Sequence, residues 1–308
     1  MSSLAIESTK VEATSWRQYY ALTKPKVVYL IVFTALVGML LATRTGMPPW
    51  NVLLFGTLGI GLAAASGAAI NQTVDEHIDG IMARTENRPL PKGEVDRNAA
   101  LTFALSLAVI SMIMLTLFVN LLTALLTLIS LVGYAVIYTM YLKRMGPQNI
   151  VWGGAAGATP PVLGWTAVSG EIHTEALLLF LVIFVWTPPH FWALAIKRRA
   201  EYAKAGIPML PVTHGVLFTK QQILMYTIML VSVTLLPFVI NMSGLIYLSG
   251  AVALGVGFLW FSLRLYRAKE SDQAAIQTFA YSIIYLSLLF GFLLLDHYLR
   301  VVFHWVAG

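Results

Sequence analysis

The stretch Leu62-Ala-Ala-Ala-Ser-Gly-Ala-Ala-Ile70 runs without interruption into Asn71-Gln-Thr-Val-Asp75-Glu-His-Ile-Asp79-Gly80. Its first half is apolar and built of small side chains, so it can lie in lipid with neighbouring helices close against it. Its second half places Asn71, Asp75 and Asp79 at successive i, i+4 positions, which stack along one face of a continuing helix. The stretch reads as a membrane span whose end carries two carboxylates and an amide to the membrane boundary. Carboxylates there are costly and by default functional. The plainer alternative is a solvated helix end whose charges only mark the boundary. Glu76 and His77 fall off the stripe and read as surface residues.

The rest of the chain supports the membrane reading. Of 308 residues 58% are apolar and only 11% are charged, against about 25% charged in a soluble domain. That much apolar surface cannot be covered in water, and the composition is the opposite of a disordered chain. A helical span takes about 20 apolar residues. The apolar stretches fall near 26–43, 51–74, 98–118, 121–141, 149–168, 175–196, 221–240, 244–263 and 276–299. The expected fold is all-α: a polytopic bundle of nine transmembrane helices, forming one domain over 1–308, with a cavity opening at the cytoplasmic face. Residues 1–20 are polar, with no apolar run straight after Met1, so no cleaved signal peptide is expected. Trp16, Tyr19 and Tyr20 suit an interfacial belt. With no cysteine in the chain, disulfides, thiolate metal sites and cysteine nucleophiles are excluded.

The net charge of +6 invites a nucleic-acid reading, but in a membrane protein excess Lys and Arg encodes orientation. Eighteen of the 20 cations fall in one set of alternate connections, leaving only Arg44 and Arg300 for the other. No nucleic-acid partner is expected. The N-terminus is expected in the cytoplasm and the C-terminus outside. The two long connections, about 75–97 and 197–220, both belong to the cation-rich side. Long loops in a compact bundle tend to be functional, so the chemistry is expected there.

Two carboxylates and an amide oxygen on one stripe suit Mg²⁺, which is held by one or two carboxylates together with substrate phosphates and water. Arg84, Arg88 and Lys92 follow, cations fitted to a phosphate. A second polar group begins Trp186-Thr-Pro-Pro-His190, where Pro188 and Pro189 are expected to break or kink the helix. His190 reads either as a functional group or as a hydrogen-bonded core residue. Lys197 and Glu201 stand at i, i+4 and could form a simple salt bridge. Lys143 and Arg144 precede Asn149-Ile-Val-Trp-Gly-Gly-Ala-Ala-Gly-Ala-Thr-Pro-Pro161, whose glycines and prolines read first as close packing.

Together these segments resemble a known family. Asn71–Asp79 followed by Arg84-Thr-Glu-Asn-Arg88-Pro-Leu-Pro91 resembles the first signature of UbiA-type intramembrane prenyltransferases. Three more segments are similar to the haem-farnesylating branch of that superfamily. They are Tyr141-Leu-Lys-Arg144 with Gln148-Asn149 and the glycine-rich stretch, Pro188-Pro-His-Phe-Trp192, and Ala205-Gly-Ile-Pro-Met-Leu-Pro211-Val-Thr-His-Gly215. The resemblance spans about 21–300. It implies a Mg²⁺–diphosphate motif at Asn71, Asp75 and Asp79, with Arg84 and Arg88 as basic partners. The superfamily's second aspartate motif falls at Lys197 and Glu201, so a base stands where one acid is usual. The implied reaction joins farnesyl diphosphate to the 2-vinyl group of haem B with addition of water. Lys143 and Lys197 are then candidate catalytic cations, and Arg144, Glu201, Tyr202, His190 and His214 candidate substrate contacts. Implied partners are the lipid bilayer of a bacterial cytoplasmic membrane and, transiently, haem-using or haem-modifying membrane enzymes. Two rivals remain: an aromatic prenyltransferase of quinone synthesis, and a transport or haem-handling membrane protein that catalyses nothing.

Overall fold

The computed structural model describes residues 15–43, 46–269 and 272–307; Arg44 and most of the polar N-terminal segment lie outside them. Among the described residues the chain is mostly helical, with turns and short connections between the helices. Helix α1 (Trp16–Leu22) turns into α2 (Pro25–Leu41) with a bend of 56°. Long helices follow as α3 (Trp50–Asp79), α4 (Arg97–Phe118) and α5 (Leu121–Val132). Helix α5 passes into a π-helical segment, Gly133–Leu142, and a last turn, α6 (Lys143–Met145). Next come α7 (Asn149–Ala158), α8 (Pro160–Ser169) and α9 (Thr174–Lys197). The second half runs through α10 (Arg199–Lys204), α11 (Leu210–Thr213), α12 (Gly215–Val233), α13 (Leu236–Val239), α14 (Leu245–Arg267) and α15 (Asp272–Ala307).

Among the described residues, seven helices are long and apolar enough to cross a membrane, or eight if the bent α1–α2 pair forms one span. Length and composition of single helices do not confirm the expected number of nine. The stretch 149–168 is divided between α7 and α8, ten residues each, where Pro160 opens a new helix. The pair Pro188–Pro189 behaves in the opposite way. Helix α9 continues through both prolines to Lys197, so the expected break does not occur. Neighbours enclose this turn: Trp186 Nε1 donates to the Ser282 carbonyl at 2.8 Å, and Gly154 leaves room for Thr187 against α7. Membrane helices tolerate proline where packed neighbours support the backbone.

Helix α4 shows why the bundle belongs in lipid. Leu105, Val109, Ile113 and Leu117 recur every fourth residue and are all exposed, whereas Ala100, Ala104, Ser111 and Leu115 on the other side are buried. The apolar stripe faces outward, the reverse of a soluble helix. The buried side meets α3, where Ser111 Oγ donates to the Gly59 carbonyl at 2.6 Å. This is a multi-pass membrane protein.

Helices α2 and α8 approach backbone to backbone. A Cβ at Gly164 would overlap the Ala35 carbonyl oxygen, and one at Gly38 would overlap that of Pro161. Neither neighbour can move as a side chain would. Gly164→Val is therefore expected to destabilise the bundle by about 3 kcal/mol or more, as severe overpacking does. Thermal unfolding in detergent measures it, and an unchanged midpoint would show that the helices are not held this close.

Candidate functional site

The last two turns of α3 carry the polar stripe as the spacing requires. Asn71, Asp75 and Asp79 are all buried, Asp75 with 2% of its surface exposed. Asn71 Nδ2 donates to Asp75 Oδ2 at 2.9 Å, one turn along the same face. Carboxylates this deep require compensating charge, and one cation from a distant part of the chain and one from the connection after α3 supply it. Lys143 Nζ donates to Asp75 Oδ2 at 2.6 Å, and Arg88 Nη1 donates to Asp79 Oδ2 at 2.5 Å. The side chain of Lys143 is 16% exposed and that of Asp75 3%. A third cation, Lys24, donates to Asn71 Oδ1.

Three local features place these cations. Lys24 stands at the bend before Pro25 with φ +50°, a left-handed conformation uncommon outside glycine. Gln72 anchors the bend, its Nε2 donating to the carbonyls of Ala21 and Leu22 at 3.1 and 2.8 Å. Lys143 follows the π-helical segment, whose wider turn also presents Thr139 to α3. Thr139 Oγ1 donates to the Tyr134 carbonyl five residues back, at 2.8 Å, and accepts from Asn71 Nδ2 at 3.2 Å. Inserted π turns are frequent at functional sites. Arg88 comes from the connection after α3, which folds back on itself: Thr85 Oγ1 donates to the Asp79 carbonyl at 2.8 Å, and Leu90 and Val95 pack beneath with Leu22 and Ala69.

Other residues singled out in the sequence stand around or away from this cluster. Arg84 is exposed on the same connection and sets its charge against Tyr202. Burial pushes the Tyr202 phenol above its ordinary value, with Arg84 and then Arg198 opposing. Arg144 is exposed. Lys197 and Glu201 do not pair with each other: Lys197 meets Asp272 at 3.3 Å and Glu201 meets Arg198 at 3.4 Å. His190 lies in the interior between the rings of Trp186 and Phe279, at 4.2 and 4.5 Å between centroids, and its Nδ1 bonds Ser282 Oγ at 2.6 Å. His214 is exposed, bonded to Thr213 Oγ1 at 2.9 Å and stacked on Phe218.

The residues present suit a divalent cation that arrives with an anionic ligand. Asp75 Oδ1 is buried and has no hydrogen-bond partner, although an unmet buried carboxylate oxygen is expensive. Among the described residues no group of three or more His, Cys, Asp or Glu side chains comes together. A metal here would need ligands beyond the protein, and Mg²⁺ characteristically takes them from phosphate and water.

Comparison with known proteins agrees with this geometry. Residues 31–295 match the model of the UbiA prenyltransferase family. The chain is 62% identical to the protoheme IX farnesyltransferase of Thioalkalivibrio sulfidiphilus, over 96% of this chain and 97% of the relative. It is 60% identical to the protein of that name in Nitrosococcus oceani, over 93% and 95%. Among solved structures, a digeranylgeranylglyceryl phosphate synthase superposes with a TM-score of 0.77 at 18% identity, covering 92% of this chain and 98% of that one. A UbiA homologue from Archaeoglobus fulgidus, bound to GPP and Mg²⁺, superposes at 0.64 with 15% identity, covering 90% and 99%. At these identities the solved structures share the fold, while the family model and the near relatives fix descent: the chain belongs to the UbiA prenyltransferase family.

Proposed function

We propose that the chain transfers the farnesyl group of farnesyl diphosphate to the 2-vinyl group of haem B, with addition of water, giving haem O and diphosphate. The observation that carries this reading is the meeting of Asn71, Asp75 and Asp79 with Lys24, Lys143 and Arg88 in a chain about 60% identical to protoheme IX farnesyltransferases. Mg²⁺ bound with the diphosphate would act as a Lewis acid that eases its departure. Asp75 and Asp79 would hold that ion, with the Asn71 amide beside them. Lys143 and Arg88 turn from the carboxylates, and Lys24 from the Asn71 amide, to the diphosphate oxygens and stabilise the charge that develops as the C1–O bond breaks. Arg84, Arg144 and Lys197 extend the same positive field from the rim, and Glu201 and Tyr202 border the acceptor.

The bond electrons leave with the diphosphate. The terminal vinyl carbon of haem B then bonds to farnesyl C1, which leaves a cation on the inner vinyl carbon. Water adds there and loses a proton. Apolar walls keep water from the first cation until the carbon–carbon bond has formed. His214, exposed at the rim, is the candidate haem contact. His190, sealed between rings, is assigned to the core. His190→Ala should therefore lower the unfolding midpoint and leave the Soret band of added haem unchanged; a shifted band would make it an iron ligand.

The site faces the cytoplasm of a bacterial cytoplasmic membrane, with the C-terminus outside, as the cation asymmetry directs. Haem-using or haem-modifying membrane enzymes would meet it only transiently. Haem extracted from cells with and without this chain tests the reaction. A more apolar haem of greater mass should appear only with it, and a changed quinone pool with unchanged haem would favour the aromatic prenyltransferase.

A further inference from the structure

A cavity of about 450 Å³ lies apart from the carboxylate cluster, where the end of α14 meets the start of α15. Its walls include Trp260, Arg264, Arg267, Gln273, Ala274 and Gln277. The apolar group of Ile78, Met82, Ile196, Leu265 and Ala274 packs beneath this end of the bundle and joins the two regions. The site proposed for catalysis uses none of the cavity's side chains.

Its charges are free to act outward. Arg264 and Arg267 form no ion pair among the described residues, and the nearby Asp272 spends its carboxylate on Lys197 and Arg199, at 3.3 and 2.6 Å. Lys220 stands behind the wall, donating to the Ala268 carbonyl at 2.7 Å. Gln277 lines the cavity, and its Oε1, covered in the wall, has no hydrogen-bond partner. Trp260 is 55% exposed, with the Arg264 guanidinium 5.5 Å from its ring centroid. An exposed tryptophan at the end of a span marks the lipid headgroup level.

We infer that this cavity binds the phosphate of an anionic phospholipid whose head bears a hydroxyl, of the phosphatidylglycerol type. Arg264 and Arg267 take the phosphodiester oxygens, as guanidinium groups do. With its amide turned into the cavity, Gln277 accepts from the head hydroxyl, which gives the unpartnered Oε1 its donor, and the glycerol backbone lies against Trp260. Basic pockets between spans recognise anionic lipid heads in this way. The volume falls in the range of sites for small ligands, roughly 300–1,000 Å³.

The test uses the purified full chain in phosphatidylcholine nanodiscs, with phosphatidylglycerol, further phosphatidylcholine or inorganic phosphate added. Retained lipid is read by native mass spectrometry and the unfolding midpoint is measured in parallel. Phosphatidylglycerol should be retained and should raise the midpoint, whereas the other two additions should not. Arg264→Gln with Arg267→Gln should weaken retention by about 25-fold, at about fivefold per arginine near a membrane surface. Gln277→Leu keeps both charges and should weaken it by about fivefold, the worth of one hydrogen bond; it decides the matter should the double variant fail to fold. Equal retention of the two lipids would overturn the inference. So would a midpoint shift from inorganic phosphate equal to that from phosphatidylglycerol, which would make this a site for free anions.

Discussion

Asp75→Asn should lower turnover by on the order of 10³-fold at saturating farnesyl diphosphate, the scale seen when a charge-stabilising group is lost from a transition state. The substitution keeps the size of the side chain and an oxygen for Asn71 Nδ2, so the local hydrogen bond persists. What disappears is the negative charge and the second carboxylate oxygen, Oδ1, which is buried and without a partner. Both belong to the proposed metal site. The same variant should lose the response of turnover to Mg²⁺ concentration, and a chelator should silence the parent protein. Steady-state kinetics at several Mg²⁺ concentrations, with circular dichroism to establish folding, checks this. Near-parental activity at low Mg²⁺ would remove Asp75 from the metal site.

Lys143→Met should reduce kcat/KM for farnesyl diphosphate by about 10²–10³-fold and leave haem affinity unchanged. It also strands Asp75, and a buried pair broken on one side costs about 3–5 kcal/mol. With Lys143 16% exposed, solvent screening places the loss at the lower end or below. The double variant Asp75→Asn, Lys143→Met separates the two roles. Removing both charges should restore much of the unfolding midpoint and none of the activity. Recovery of activity along with stability would mean that Lys143 serves Asp75 and not the diphosphate.

The carboxylate stripe was legible because it depends on helical spacing alone. Asn71, Asp75 and Asp79 fall on one face wherever the helix continues, and α3 does continue to Asp79. Arg88 was legible as a nearby cation, though its pairing with Asp79 depends on how the connection folds back. Lys24 was counted only among the cations that orient the chain. Its place beside Asn71 depends on the bend between α1 and α2, and the one local sign was Lys24 preceding Pro25, since a residue before proline is biased out of the helix. Thr139 had no sign of its own: a π-helical turn, which no spacing rule announces, brings it to Asn71. The pairing of Lys197 with Asp272 joins residues 75 apart in sequence, which no spacing rule reaches. Prolines were ambiguous for the same reason. Pro160 begins a helix, while Pro188 and Pro189 sit inside one, and the packed neighbours of α9 make the difference.

The most direct test incubates the purified chain with farnesyl diphosphate labelled at C1, haem B and Mg²⁺, and follows the label by chromatography with haem absorbance. Label is expected in a haem product heavier by one farnesyl group and one hydroxyl, with diphosphate released in equal amount, and none of this with Asp75→Asn. Label that remains in farnesyl diphosphate or farnesol while haem B is recovered intact, or label that moves only to an added aromatic acid, would contradict the proposed transfer.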